Sequence, residues 1–158
     1  LKPNGRLFEG PDNLLKQELR QPKLYNDILF VISAGASKLN EIATKLNMQS
    51  GGLSHYLNSL QELGIIEKKT PVLDRKSKRP IYRIKDTMFR FWYCFVQKNL
   101  NLLNMDLGEL VYEKQIEPKL NEYMGTIFEQ IVIEHFEQRL KKGKLDCQEE
   151  TSKPSIAF

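Results

Sequence analysis

His55, His135, Cys94 and Cys147 are the only imidazole and thiol side chains in the sequence, and their arrangement does not suit metal chemistry. The histidines stand 80 positions apart without an HExxH pattern, and no CxxC or mixed Cys/His cluster occurs, so a tetrahedral zinc site has no ligand set. Cys94 sits beside aromatic residues and Cys147 in a polar tail, a usage that fits a reducing cytoplasm. GxxxxGK[ST], GxGxxG and GxSxG are all missing, which removes the common phosphate-cradling loops and the strained serine elbow of hydrolases. The expectation is therefore a chain that is not an enzyme, with no catalytic residue, no metal and no cofactor.

The chemistry that remains is recognition of a polyanion. Gln49, Ser50, Ser54, His55, Asn58 and Ser59 are interleaved with Leu53, Leu57, Leu60 and Leu63, so a helix would turn these short polar groups outward, where they can bond bases or phosphates. They are also ordinary surface residues, and for His55 a plain solvent-facing side chain is the preferred reading. No Arg or Lys occurs between Gln49 and Leu63, so bidentate reading of guanine from this helix is not expected; Asn58 is the best adenine reader. The pair Gly51-Gly52 costs a helix about 1 kcal/mol per glycine relative to alanine. Such a pair suggests close backbone approach, to a neighbouring helix in preference to a phosphate.

Charge is concentrated downstream. The net charge is +4, yet the window 65–85 holds eight basic residues against Glu67 and Asp74, a surplus of +6, so the rest of the chain is net negative. Arg75, Lys76, Lys78 and Arg79 fall between Pro71 and Pro80; on a loop they could lie along a duplex backbone and release its counterions. A solvated basic turn is the plain alternative.

These groups need elements to hold them. Asn13–Leu19 reads as a short entry helix with proline boundaries. Ile28, Leu29 and Ile32 make a first helix ending at Ala34-Gly35, and Ser37 can cap a second through Leu39, Ile42, Ala43 and Leu46, closed by Asn47. Ser50 can cap a third that ends at Gly64. Ile65–Thr70 and Ile81–Ile84 read as two strands of a hairpin. Helix, helix-turn-helix and hairpin in that order describe a winged helix whose third helix is the candidate reader of a major groove.

The fold class expected is thus mainly α: a winged helix-turn-helix followed by a helical C-terminal region. Met88–Val96 is apolar nearly all round and must be buried. Helical stretches through Leu107–Ile116 and Ile127–Phe136 follow, with Gly125 as their separator. The divisions expected are an entry helix and linker over 1–22, the winged helix over 23–86, the helical region over 87–140 and a poorly ordered tail over 141–158. At 158 residues and 41% hydrophobic content, the chain has room for one domain or two small ones. No apolar run reaches the ~18 residues of a membrane helix. It opens at Leu1 without a basic-then-apolar leader, and a natural start further upstream is expected.

Lys38-Leu39-Asn40-Glu41-Ile42-Ala43, Leu53-Ser54-His55-Tyr56-Leu57, Leu63-Gly64-Ile65-Ile66-Glu67-Lys68 and Tyr82-Arg83-Ile84-Lys85-Asp86 followed by Phe91-Trp92 together resemble the C-terminal part of the prokaryotic, predominantly archaeal P-loop ATPases. In that family an AAA-like ATP-binding domain precedes a winged helix, which precedes a domain that looks like a PD-(D/E)XK nuclease. The resemblance runs from about Leu7 to Phe136, and Tyr123–Glu129 looks like the start of the nuclease-like domain, with Glu129 as its helix-borne glutamate. The Walker motifs are absent, and so are the strand-borne Asp and Glu-x-Lys. Asp146, Glu149 and Glu150 read as solvated charges, and a lone Glu129 cannot assemble a metal site.

The function expected is a DNA-binding winged helix belonging to a longer ATPase, making backbone-dominated duplex contacts. The alternatives are a protein-interaction or dimerisation module and, third, a nuclease remnant. The partners expected are double-stranded DNA and an upstream ATPase domain, with a homodimer as a further option and no membrane.

Overall fold

Three successive helices end in one device, and it sets the path of the chain. A computed structural model describes residues 6–70 and 80–141, and in it helix α2 (Pro22–Ser33) gives way to Gly35 at φ +99, α3 (Leu39–Lys45) to Asn47 at φ 53, and α4 (Ser50–Glu62) to Gly64 at φ +71. A left-handed residue lets the following N–H reach back to the last helical turn. Ala36 donates to the Val31 carbonyl at 3.2 Å, Met48 to Ala43 at 2.9 Å and Ile65 to Leu60 at 3.0 Å. Ala36 and Ile65 are then buried, so the first and third of these turns each feed a side chain into the core.

The helix starts differ from the sequence reading. Ser37 does not cap α3: its N–H and that of Lys38 each donate to Glu41 Oε2 at 3.1 Å, so a carboxylate in the first turn serves the bare donors, which also suits the helix dipole. Those two N–H groups, Ser37 first, hold the Glu41 carboxyl below its ordinary value. Ser50 is the first residue of α4 and Gln49 stands at the cap position, making no capping bond. The entry helix α1 spans Arg6–Glu18, with Pro11 inside it. The Pro11 ring is buried, and that packing offsets the one backbone bond a proline forgoes.

Strands β1 (Ile66–Lys69) and β2 (Ile81–Ile84) pair antiparallel with Ile66 opposite Ile84 and Lys69 opposite Ile81. Tyr82 N–H donates to the Ser37 carbonyl at 2.7 Å, which ties the hairpin to the turn before α3. The core is built from Leu15 of α1, Ile28 and Leu29 of α2, Ile42 of α3, Leu53, Leu57 and Leu60 of α4, and Ile66, Tyr82 and Ile84 of the hairpin. Each fully buried aliphatic side chain among them contributes ~1.5–3 kcal/mol of driving force. The architecture is a winged helix-turn-helix within a mainly helical chain.

Asp86 caps α5 (Thr87–Phe91), accepting from Phe89 N–H at 2.9 Å. The next turn, Trp92–Val96, is π-helical, and Trp92, Tyr93, Phe95 and Val96 are all buried, as an all-round apolar helix requires. Asn99 Nδ2 donates to the Phe95 carbonyl at 2.8 Å, serving an acceptor at the end of the widened turn. Tyr93, fully buried, donates its hydroxyl to Asn26 Oδ1, Asn26 donates to Asp12 Oδ1 at 3.1 Å, and Asp12 pairs with Lys16 at 2.6 Å. This chain of bonds joins α1, α2 and the aromatic segment. Burial, and after it the charges of Asp12 and Asp27, drives the Tyr93 pKa far above its ordinary value.

Beyond a short 3₁₀ turn, α6 (Leu100–Asn104) leads to α7 (Gly108–Val111), a second π-helical turn at Tyr112–Ile116, and α8 (Glu117–Lys141). Gly125 does not separate two helices; it lies within α8. A single glycine costs about 1 kcal/mol, too little to end a helix of this length. The chain divides into two compact units, Leu1–Pro118 and Lys119–Phe158. The tail from 142 onward, and with it Asp146, Cys147, Glu149 and Glu150, lies outside the described residues.

Candidate nucleic-acid interface

Helix α4 buries Leu53, Leu57 and Leu60 completely, and that inward stripe fixes which side chains face out. Gln49, Gly51, Gly52, His55 and Asn58 are exposed, while Ser50, Ser54 and Ser59 are half-buried. Ser50 Oγ donates to Asn40 Oδ1 at 3.2 Å, linking the outer sides of α3 and α4; Asn40, exposed, is a member of this surface that sequence spacing did not single out. Lys45, exposed in the last turn of α3, is another. Its signal was its place just before the short turn into α4.

The serine hydroxyls are partly spent within the helix. Ser54 donates to the Ser50 carbonyl at 3.2 Å and Ser59 to the His55 carbonyl at 3.3 Å; each oxygen keeps acceptor capacity only. Asn58 Oδ1 accepts from Gln61 Nε2 at 3.3 Å. That contact biases the Asn58 amide to present its NH₂ outward, a donor suited to N7 of either purine, and weakens the case for two-point adenine reading. His55 lies edge-on to Tyr56 at 5.6 Å, and Tyr56 in turn packs on Tyr25 at 5.2 Å and donates to Gln21 Oε1 at 3.0 Å. The helix is thereby held against α2 from behind.

Gly51 and Gly52 overturn the sequence preference for close helix packing. Among the described residues, a Cβ on either would meet no atom within 4 Å, and neither has a positive φ. No described neighbour requires a glycine there. What the pair does is strip side chains from the first turn of a 13-residue helix, leaving its unpaired backbone N–H groups and the positive end of its dipole uncovered.

In the hairpin, the raw surplus of cations shrinks. Glu67 pairs with Arg83 and, at 3.7 Å, with Lys69. Lys68 lies 5.9 Å over the Tyr82 ring and is exposed, as is Lys85. Arg75, Lys76, Lys78 and Arg79 fall outside the described residues.

Other chemistry is not assembled. No group of three His, Cys, Asp or Glu side chains suited to a metal occurs among the described residues, and no described helix is long and apolar enough to cross a membrane. Burial raises the Cys94 thiol pKa against the opposing pull of Lys98 and Arg90, which disfavours the reactive thiolate. Glu129 is exposed on α8.

The chain is similar to several known proteins. Residues 92–153 match DUF234, archaeal and bacterial proteins of unknown function. The uncharacterized protein MJECL04 of Methanocaldococcus jannaschii is 32% identical over 135 residues, covering 85% of this chain and 30% of that protein, so the chain spans less than a third of its relative's length. Among solved structures, the reduced form of MarR from E. coli aligns over 83% of this chain and 97% of its own, with 15% identity and a TM-score of 0.39. A cysteine-to-serine mutant of MarR aligns over 84% and 98%, with 16% identity and a TM-score of 0.40.

Proposed function

We propose that this chain is a duplex-DNA-binding module in which the outer face of α4 enters the major groove and the basic hairpin lies along the phosphates. The observation that carries it is the uncovered glycine pair at the start of α4: no described neighbour requires it, and bare N–H groups there leave room for a phosphate or sugar edge to approach. Lys45, Lys68 and Lys85 add exposed positive charge, and Arg75, Lys76, Lys78 and Arg79 extend it along the hairpin connection. With no Arg or Lys on the α4 face, affinity is dominated by the backbone and sequence preference is modest, set by Asn58, His55 and the helix start.

The resemblance to P-loop ATPases, together with a relative more than three times as long as the aligned stretch, supports a parent protein in which this module anchors an ATPase to DNA in the cytoplasm. The module itself does no catalysis. Glu129 would belong to a nuclease-like domain that needs further carboxylates, so this chain is expected not to nick DNA with added divalent metal; cleavage lost on Glu129→Ala would contradict that.

A gel shift with random-sequence duplex tests the DNA assignment. Gly52→Glu points a carboxylate outward into open space, leaves the fold intact, and is expected to weaken binding at least ~10-fold, since like charges across an interface cost several kcal/mol. Unchanged affinity would remove α4 from the interface. A chain that binds no duplex at low salt but docks on another protein would favour the interaction-module alternative.

A further inference from the structure

Two side-chain amides near the end of α4 are linked in series. Gln61, half-buried, gives Nε2–H bonds to the Leu57 carbonyl at 3.1 Å and to Asn58 Oδ1 at 3.3 Å, so both of its donors are used. The Leu57 carbonyl decides the direction of this relay. A carbonyl only accepts, so the Gln61 amide must turn its nitrogen, not its oxygen, toward the helix, and that same nitrogen then meets Asn58. Facing a donor, the Asn58 amide must offer its oxygen. Asn58 is exposed, and its Nδ2 makes no hydrogen bond to another described residue.

We infer that Gln61 is a positioning residue that sets the base preference of Asn58, an inference that rests on the reading of α4 as the helix in the groove. Held in this way, Asn58 presents donors alone. In the major groove a donor is matched by N7 and O6 of guanine and opposed by the N4 amino group of cytosine, so guanine is preferred to cytosine opposite Asn58. One net hydrogen bond sets that ratio at about 5-fold. Two-point reading of adenine needs the oxygen and the nitrogen of the amide together, and the oxygen is engaged by Gln61.

The relay predicts its own inversion. In Gln61→Glu the carboxylate has no donor for either partner; it accepts from Asn58 Nδ2 instead and turns Oδ1 outward, where it suits the amino groups of cytosine and adenine. In Gln61→Met, which keeps the length and helix propensity of the side chain, the Asn58 amide turns freely and the preference disappears. Gln61 need touch no base in either case.

Selection of bound duplexes from a pool with a randomised core, sequenced for the whole chain and for each variant at low salt, tests this. The wild type is expected to enrich guanine over cytosine about 5-fold at one position, identified as the position whose preference is lost in Asn58→Ala. There Gln61→Glu should favour cytosine and adenine over guanine, and Gln61→Met should bring guanine and cytosine to parity. Preferences at the other positions and the far-ultraviolet dichroism should stay as they are, whereas a structural role for Gln61 would weaken every position together. Gln61→Met adds no charge and decides the matter alone where Gln61→Glu binds too weakly to be read. A chain that binds no duplex would remove the DNA reading and this inference with it. Duplex binding without an Asn58-dependent position, or with a guanine preference that survives Gln61→Met, would overturn the inference alone.

Discussion

At the scale of single residues, the glycines of α4 and the hydroxyl of Tyr93 show how far sequence letters go. Gly51 and Gly52 were visible as a cost to the helix, but the reason for the cost was not, because only coordinates tell whether a Cβ would strike a neighbour. Since no described atom lies within 4 Å, Gly51→Ala and Gly52→Ala should each stabilise the fold by about 1 kcal/mol, a rise of roughly 2–4 °C in Tm, while weakening duplex binding. A thermal melt and a binding isotherm on the same sample check this split; rising stability with unchanged affinity would deny the pair a role in DNA contact. Tyr93 could be recognised in the sequence as core. Its bond to Asn26, which is 67 positions away, could not, since no local pattern pairs a tyrosine with an asparagine in another helix. Tyr93→Phe removes that bond and leaves the Asn26 oxygen without this donor, at a cost of about 1–2 kcal/mol. The direction of its pKa shift also fixes a pH dependence. The folded state keeps the proton that an unfolded tyrosine loses near 10, so the stabilising effect is complete below pH 10 and fades as pH rises above it. The wild-type chain should therefore lose stability above pH 10 more steeply than Tyr93→Phe, as urea titrations at pH 8 and above would reveal.

At the scale of elements, the helix ends were more legible than the starts. Gly35, Asn47 and Gly64 are residues that tolerate positive φ, and each stands where its helix stops. Ser37 and Ser50 have the right chemistry for caps, but Glu41 reaches the donors first in one case, and in the other Ser50 has already entered α4 and bonds Asn40. The strands followed from alternation, while the π-helical turns at Trp92–Val96 and Tyr112–Ile116 left no signal, because one extra residue in a turn barely alters apolar spacing. The hairpin carries its own prediction. Glu67 draws Arg83 and Lys69 to itself, so Glu67→Gln should release local positive charge and tighten duplex binding by a few-fold at low salt, with the gain vanishing near 0.5 M salt, where the screening length is only a few ångströms. Weaker binding on this substitution would mean the pair shapes the hairpin more than it restrains its charge.

At the scale of the whole molecule, composition alone understated the case, since a net charge of +4 conceals a +6 window. The outward side chains of α4 were legible from spacing on a helix; the exposure of its first turn, the positions of Asn40 and Lys45 beside it, and the internal pairing of Glu67 required the packed structure. The helix-turn-helix and the hairpin together imply a surface that neutralises phosphates, and counterion release turns that into one slope. Binding of the intact chain to random duplex, followed from about 50 to 300 mM salt, should show log K falling linearly with log salt at a slope of about −3.6 if four cations of the hairpin connection meet phosphates, and Arg75→Ala should flatten it by about 0.9. Duplex binding that ignores salt, or no binding even at the lowest salt, would contradict the account.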